Sequence, residues 1–241
     1  MVAASSAVPV APVGSGDRPA PTNGGLVRSD GSGSLAPVVN PPTGSGLLPV
    51  AENALRPAGG DRHLGWFVGV HGGAGATTCA SIMAPFADAG QVIPAADDPA
   101  ICILVANPHR AGLRAAHRAV LQFGTGAAGA ATLAGVVLVS DCPGRVPKAL
   151  AGDMARLVEA APGGNVWTIP HIPAWRTVVP DDLPAAWEPS MGGDLTAGGA
   201  RRRGRRSRVD PLRELPDEVT HVAEEIFTRC KSLFTRINQA G

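Results

Sequence analysis

Three short runs of unbroken apolar character punctuate the middle of the chain, at residues 65–70, 101–106 and 135–139, and a fourth, mostly apolar segment at 165–169 reads as a strand with them. Continuous rather than alternating hydrophobicity predicts strands buried on both faces. Between these runs the period changes to a helical one. Residues 77–89 read as a first helix. Residues 110–123 place Leu113, Ala116, Val120 and Leu121 on one face, and residues 146–161 do the same with Leu150, Met154, Leu157 and Val158. Strands alternating with helices predict an α/β fold, a small parallel sheet flanked by helices. Near the C-terminus, Val219, Ala223, Ile226, Cys230, Leu233 and Ile237 recur at spacings of four and three. That is an amphipathic helix, with Asp217 and Glu218 in its first turn and Lys231 and Arg236 near its end, both favourable to the helix dipole.

Outside these segments the pattern dissolves. Residues 1–60 hold nine Pro and ten Gly, and no apolar periodicity survives there. Such a stretch buries too little surface to offset its ordering entropy and is expected to be a disordered arm. Its island Leu47-Leu48-Pro49-Val50 reads either as a docking peptide or as part of an inert tether. Four segments follow: an arm over 1–60, an α/β domain over 61–178, a Pro/Gly/Arg-rich linker over 179–215, and a C-terminal helix over 216–241. The helix stripe either folds back on the domain or pairs with a second copy as a short coiled coil, giving a homodimer.

Composition narrows the classes. Of 241 residues, 31 are Gly and 23 Pro; 21 are Lys or Arg, of which only Lys148 and Lys231 are lysines. No run of apolar residues reaches the roughly 18 needed for a membrane span. A net charge of +1 argues against a protein coated in positive charge for nucleic acid. The N-terminus lacks a basic region ahead of its short, Pro-broken apolar stretch, so no secretory signal is expected. Cys79, Cys102, Cys142 and Cys230 show no Cys-x-x-Cys spacing and read as buried free thiols of a cytoplasmic protein. His109, His117 and His171 share no metal-ligand spacing. Trp66, Trp167 and Trp175 read as core or surface-lid residues rather than as a base-stacking platform.

One segment carries chemistry: His71-Gly72-Gly73-Ala74-Gly75-Ala76-Thr77-Thr78, between a strand and a helix. Its glycines allow close backbone approach to phosphate oxygens, and Thr77 stands where a hydroxyl meets Mg²⁺. The segment resembles the deviant Walker A loop of the ParA/MinD family of partition and septum-placement ATPases, Lys-Gly-Gly-x-Gly-Lys-Thr-Thr. The three glycines and both threonines match, while His71 and Ala76 stand where the family has lysines. The stretch around Asn107-Pro108-His109-Arg110, the strand ending Val139-Ser140-Asp141-Cys142-Pro143-Gly144, and Thr168-Ile169-Pro170 resemble later parts of the same fold. The likeness covers about half the chain. It is also similar to an uncharacterised actinobacterial group, often on mobile elements, that carries this loop.

The resemblance implies a degenerate P-loop protein. Residues 71–78 would form a nucleotide or anion cradle, with ATP or ADP and Mg²⁺ as the implied ligands. A protein or DNA partner would act with it. Loss of both lysines removes the charge that stabilises a transferring phosphoryl group. One alternative is an active ATPase in which His71 or a partner's arginine replaces them. Another is an adaptor in which the loop is only a turn. Only about ten residues, 90–99, separate the first helix from the second strand, which implies that the module with the family's Walker B aspartate is missing. Asp141 either replaces that aspartate beside Thr77 or caps a Pro-Gly turn. Asp97-Asp98-Pro99 reads as a solvated acidic turn. Arg201, Arg202, Arg203, Arg205, Arg206 and Arg208 form either a non-specific DNA contact or a solubilising linker.

Overall fold

In the computed structural model, residues 46–55, 63–189 and 210–240 are described. The four apolar segments, joined by the short segment Phe86–Asp88, form a five-stranded parallel sheet. Its strands are β1 (Gly65–Gly69), β2 (Phe86–Asp88), β3 (Ile101–Ala106), β4 (Thr132–Val139) and β5 (Val166–Ile169), in the order β2-β1-β3-β4-β5. The helices are α1 (Ala76–Ile82), α2 (Arg110–Gly124), α3 (Ala151–Ala160) and α4 (Asp217–Ala240). Leu113, Ala116, Val120 and Leu157 of α2 and α3 pack on one sheet face, against Trp66, Val68, Cys102 and Leu104. On the other face α1 and α4 bury Phe67, Ile103, Val105 and Val137. Burial on both faces is why β1, β3 and β4 carry no polar alternation, whereas the edge strand β5 alternates, with Thr168 exposed between buried Trp167 and Ile169.

The alternation of faces slips once, in β4. Cys102 pairs with Leu133 and Ile103 with Gly135, so Ala134 is an extra residue. A bulge leaves a strand carbonyl without its ladder partner. Here Arg229 of α4 donates to Ala134 O at 3.4 Å. At Gly135, a Cβ would meet Asn165 O at 2.6 Å, so the strand needs glycine there to accept β5.

Three expectations are corrected. The helix over 77–89 ends at Ile82, because Pro85 lacks an N–H and its ring crowds the preceding turn. The chain turns, and Phe86-Ala87-Asp88 instead pairs with Gly65-Trp66-Phe67 as an edge strand. The arm does not extend to residue 60. Residues 46–55 form a strap on the α2 side of the same compact unit, with Leu48 buried and Val50 bridged to Ile93. Nor does the linker begin at 179. Trp187 N–H donates to Ile82 O at 2.8 Å, and Ala84 N–H donates to Trp187 O at 3.1 Å. Residues 1–45 of the arm and the arginines at 201–208 lie outside the described residues.

The strap hangs on two side chains. Gln122, buried on α2, accepts from Leu48 N–H at 2.9 Å and donates to Leu48 O at 2.8 Å. The Asp98 carboxylate accepts from Leu55 N–H at 2.9 Å and from Ala95 N–H at 3.0 Å. Asp98 is therefore a structural tie and not a freely solvated turn residue. Gln122→Leu leaves both Leu48 backbone groups without partners. It is expected to cost about 2 kcal/mol in urea unfolding and to speed amide exchange at Leu48.

The C-terminal stripe folds back on its own sheet. Val219, Val222, Ala223, Ile226, Cys230 and Leu233 are buried against β3, β4 and β5. The surface expected to mate with a second copy is thus taken up within the chain. Only Phe234 and Ile237 of the large apolar residues on α4 remain exposed. Among the described residues no helix is long and apolar enough to cross a membrane.

Candidate functional site

The sheet order reverses between β1 and β3, and α1 and α2 leave to opposite faces there. In doubly wound sheets the crevice outside the strand ends at such a switch point is where ligands lie. Two segments line it here: the loop 70–75 after β1 and Asn107-Pro108-His109 after β3.

The loop is shaped by its glycines. Gly73 and Gly75 have φ of 73° and 98°, left-handed values that glycine adopts without strain. Gly75 also lies against β4, where a Cβ would meet Val139 at 3.3 Å. Gly72 differs from both. It has no such φ, and a Cβ there would meet nothing within 4 Å. Nothing inside the described residues requires glycine at 72, so the bare backbone is left open to solvent. Ala74 and Ala76 turn their methyls into the core, and Thr78 is half-buried. Helix α1 is only seven residues long, so the dipole expected from a longer helix is shortened with it.

Thr77 and Asp88 are brought together. The Thr77 hydroxyl donates to Asp88 Oδ2 at 2.6 Å, and Gly90 N–H donates to Asp88 Oδ1 at 2.8 Å. Both carboxylate oxygens are thereby oriented beside the loop. Asp88 closes β2, the strand that the helical reading of 77–89 hid. The missing signal was Pro85, eight residues after Thr77 and just ahead of an apolar pair and an aspartate. Behind this pair the Cys79 thiol is pushed up to about 12, first by burial and then by Asp88.

His71 does not reach out as the signature lysine would. Its Nδ1 donates to Gly72 O at 3.0 Å, and its Nε2 accepts from Asn107 N–H at 3.3 Å. Because a backbone N–H only donates and a carbonyl only accepts, this geometry fixes the neutral tautomer with the proton on Nδ1. Asn107 is itself buried and donates through Nδ2 to Val139 O at 2.9 Å. Asn107 therefore ties β1, β3 and β4 at the crevice, through its backbone N–H on one side and its side chain on the other. His109 caps α2, its Nδ1 accepting from Gly112 N–H at 3.0 Å.

Asp141 is exposed in the turn after β4; the carboxylate that meets Thr77 is Asp88. His171 is half-buried in the segment after β5. His117 sits on α2, its imidazole held below the usual range by burial and by the Arg156 charge. Trp66 and Trp167 are core residues on opposite faces of the sheet, and Trp175 packs, partly buried, against the Trp167 face, its indole N–H donating to Pro211 O at 2.8 Å.

Of the four cysteines, Cys79, Cys102 and Cys230 are buried, and Cys142 is exposed, contrary to the expectation of four buried thiols. Burial raises the Cys102 and Cys230 thiols, the latter to about 12. A soluble maleimide is accordingly expected to modify Cys142 alone in the native chain and all four cysteines after unfolding, as read by intact mass. Fast native labelling of a second thiol would contradict the packing.

A family model described as a family of unknown function (DUF6668) matches residues 63–188. The chain belongs to this family. The match to DUF6668 takes in β1 through β5, the loop, Asp88, Asn107 and the Trp187 contact, but neither the strap nor α4. No curated protein and no solved structure matches the chain.

Proposed function

We propose that this member of DUF6668 is a catalytically degenerate relative of the ParA/MinD-like P-loop proteins. It holds a nucleotide or another phosphate-bearing anion weakly at residues 71–78 and acts through a protein or DNA partner in the cytoplasm. The observation that carries this reading is the Thr77–Asp88 pair at 2.6 Å beside the loop. A hydroxyl on the phosphate loop and a carboxylate on the adjoining strand are the two groups that hold Mg²⁺ in P-loop proteins. The open backbone at Gly72 supports it too, since close approach of a ligand gives that glycine a reason.

ATP or ADP with Mg²⁺ fits these residues in part. Thr77 and Asp88 would hold the ion. Among the described residues no three His, Cys, Asp or Glu side chains gather to hold a metal alone. The ion would take its remaining ligands from water and the phosphates, as Mg²⁺ ordinarily does. When bound, it would offset phosphate charge. The chain supplies little more: Ala76 offers a buried methyl, and the His71 ring is engaged at both nitrogens. That engagement weighs against an ATPase in which His71 replaces the lysines. A bare turn, as in an adaptor, leaves the Thr77–Asp88 pair and Gly72 without a purpose.

Calorimetric titration of the full chain with ADP, ATP and GTP in Mg²⁺ tests the reading. Expected dissociation constants are about 0.1–1 mM, and Thr77→Ala or Gly75→Val should abolish the heat. Steady-state phosphate release should stay at background. No heat at several millimolar nucleotide would remove the proposal. DNA binding through residues 201–208 should fall steeply with salt and vanish when those arginines become glutamines.

A further inference from the structure

The outer surface of the α2–α3 layer carries a cleft of about 720 Å³ that the loop reading does not use. Four guanidiniums line it. Arg110, Arg114 and Arg118 succeed one another at i, i+4 and i+8 on α2, and Arg156 faces them from α3. Steps of four residues put neighbours about 6 Å apart and the row about 12 Å long. Asp153 is the one carboxylate in the cleft. It binds the Arg156 guanidinium directly and lies 3.7 Å from Arg110 Nε. Four cations against one anion leave a surplus of three positive charges, with His117 counted neutral.

Helix α2 is built against its own stability here. Like charges four residues apart repel, and this row contains two such pairs. Arg110 also occupies the first turn, where the macrodipole favours anions, and no acidic residue stands in that turn. Arg114 and Arg118 have no ion pair or hydrogen bond among the described residues to offset the repulsion. Arg110 and Arg156 are held in place by Asp153, and Arg110 Nη2 also donates to Ala149 O at 3.4 Å. Two fixed guanidiniums and two unpaired ones around one concavity describe a preorganised anion site.

We propose that this cleft binds a small ligand carrying two or more phosphate groups. A single phosphate engages one or two guanidiniums, whereas the surplus charge and the length of the row match a chain of two or three. The cleft volume lies in the range of small-molecule sites. No Phe, Tyr or Trp lines the cleft, so it lacks the broad stacking platform of single-strand nucleic-acid grooves. The site shares no residue with the loop 71–78 and lies on the sheet face opposite α1.

The test is calorimetric titration of the full chain with inorganic tripolyphosphate, without Mg²⁺. The six arginines of 201–208 are replaced by glutamine throughout, so that they do not compete. Tripolyphosphate should bind at least about tenfold more tightly than orthophosphate. Arg114→Gln with Arg118→Gln should weaken it by at least about tenfold. Both side chains are exposed, so circular dichroism and melting should be unchanged. Thr77→Ala, which disables the loop, should leave this affinity within about twofold. The proposal is overturned by absence of heat at about 5 mM tripolyphosphate, or by equal affinity for both probes. It is also overturned if Thr77→Ala removes the heat while the arginine pair does not. Finally, a labelled single-stranded oligonucleotide that binds through Arg114 and Arg118 and is not displaced by tripolyphosphate would assign the surface to nucleic acid instead.

Discussion

Ile226→Asp is expected to lower the unfolding free energy of the chain by about 4 kcal/mol or more. Ile226 is fully buried on α4 among the apolar residues of β3, β4 and β5. Helix α1 is seven residues long and packs on β1 and β2, so it cannot cover that half of the sheet face. Without α4, Ile103, Val105, Val137 and Ile169 would lose their cover. A carboxylate at 226 either sits unpaired in this core or expels the helix, and both routes are costly. Urea unfolding followed by tryptophan fluorescence reads the loss. If α4 instead served as a coiled-coil strand between copies, the variant would change the solution mass and leave the unfolding midpoint in place.

Gly112→Ala should be nearly as damaging, at about 2–3 kcal/mol, although it adds one carbon to a surface helix. A Cβ at 112 would overlap the Asn107 carbonyl oxygen and come within 3.1 Å of His71 Nε2. The first turn of α2 would have to shift away from the end of β3. That shift strains the Asn107 N–H bond to His71 and the His109 cap on Gly112. The check is the imidazole Nδ1–H resonance of His71, which should be seen in the wild type and lost in Gly112→Ala. Gly124→Ala, where a Cβ meets nothing within 4 Å, is the control that should leave it intact.

Much of this architecture was legible in the chain because burial on both faces writes itself as unbroken apolar runs. Residues 101–106 matched β3 to the residue, α2 followed its periodic signal closely, and α3 began only at Ala151, after a 3-10 turn at Lys148–Leu150. What escaped was short or held by polar groups. β2 has three residues, too few to show a period, and only Pro85 betrayed that the helix before it must stop. The strap over 46–55 has one buried apolar side chain, Leu48, and owes its place to Gln122 and Asp98. Those bonds join residues 74 and 43 positions apart, which no local pattern records. The candidate site suffered most from the same cause. The loop is plain from its glycines, but its carboxylate partner sits in a segment whose pattern reads as helix, while Asp141 offers a carboxylate in a more recognisable strand–turn setting. His71 looked like a replacement for a lysine by position alone. Its ring is instead committed to Gly72 and Asn107, a commitment that depends on the pairing of β1 with β3.

In the proposed reading, Thr77 and Asp88 together make the loop a site for a divalent ion with a phosphate ligand. The most direct measurement is the dissociation constant of ADP for the full chain with and without Mg²⁺, compared between wild type and Asp88→Asn. Mg²⁺ is expected to tighten ADP binding to the wild type by about tenfold, roughly 1.4 kcal/mol, and Asp88→Asn to erase this gain. Equal tightening by Mg²⁺ in both proteins would contradict the reading, as would ADP binding that ignores Mg²⁺ in the wild type.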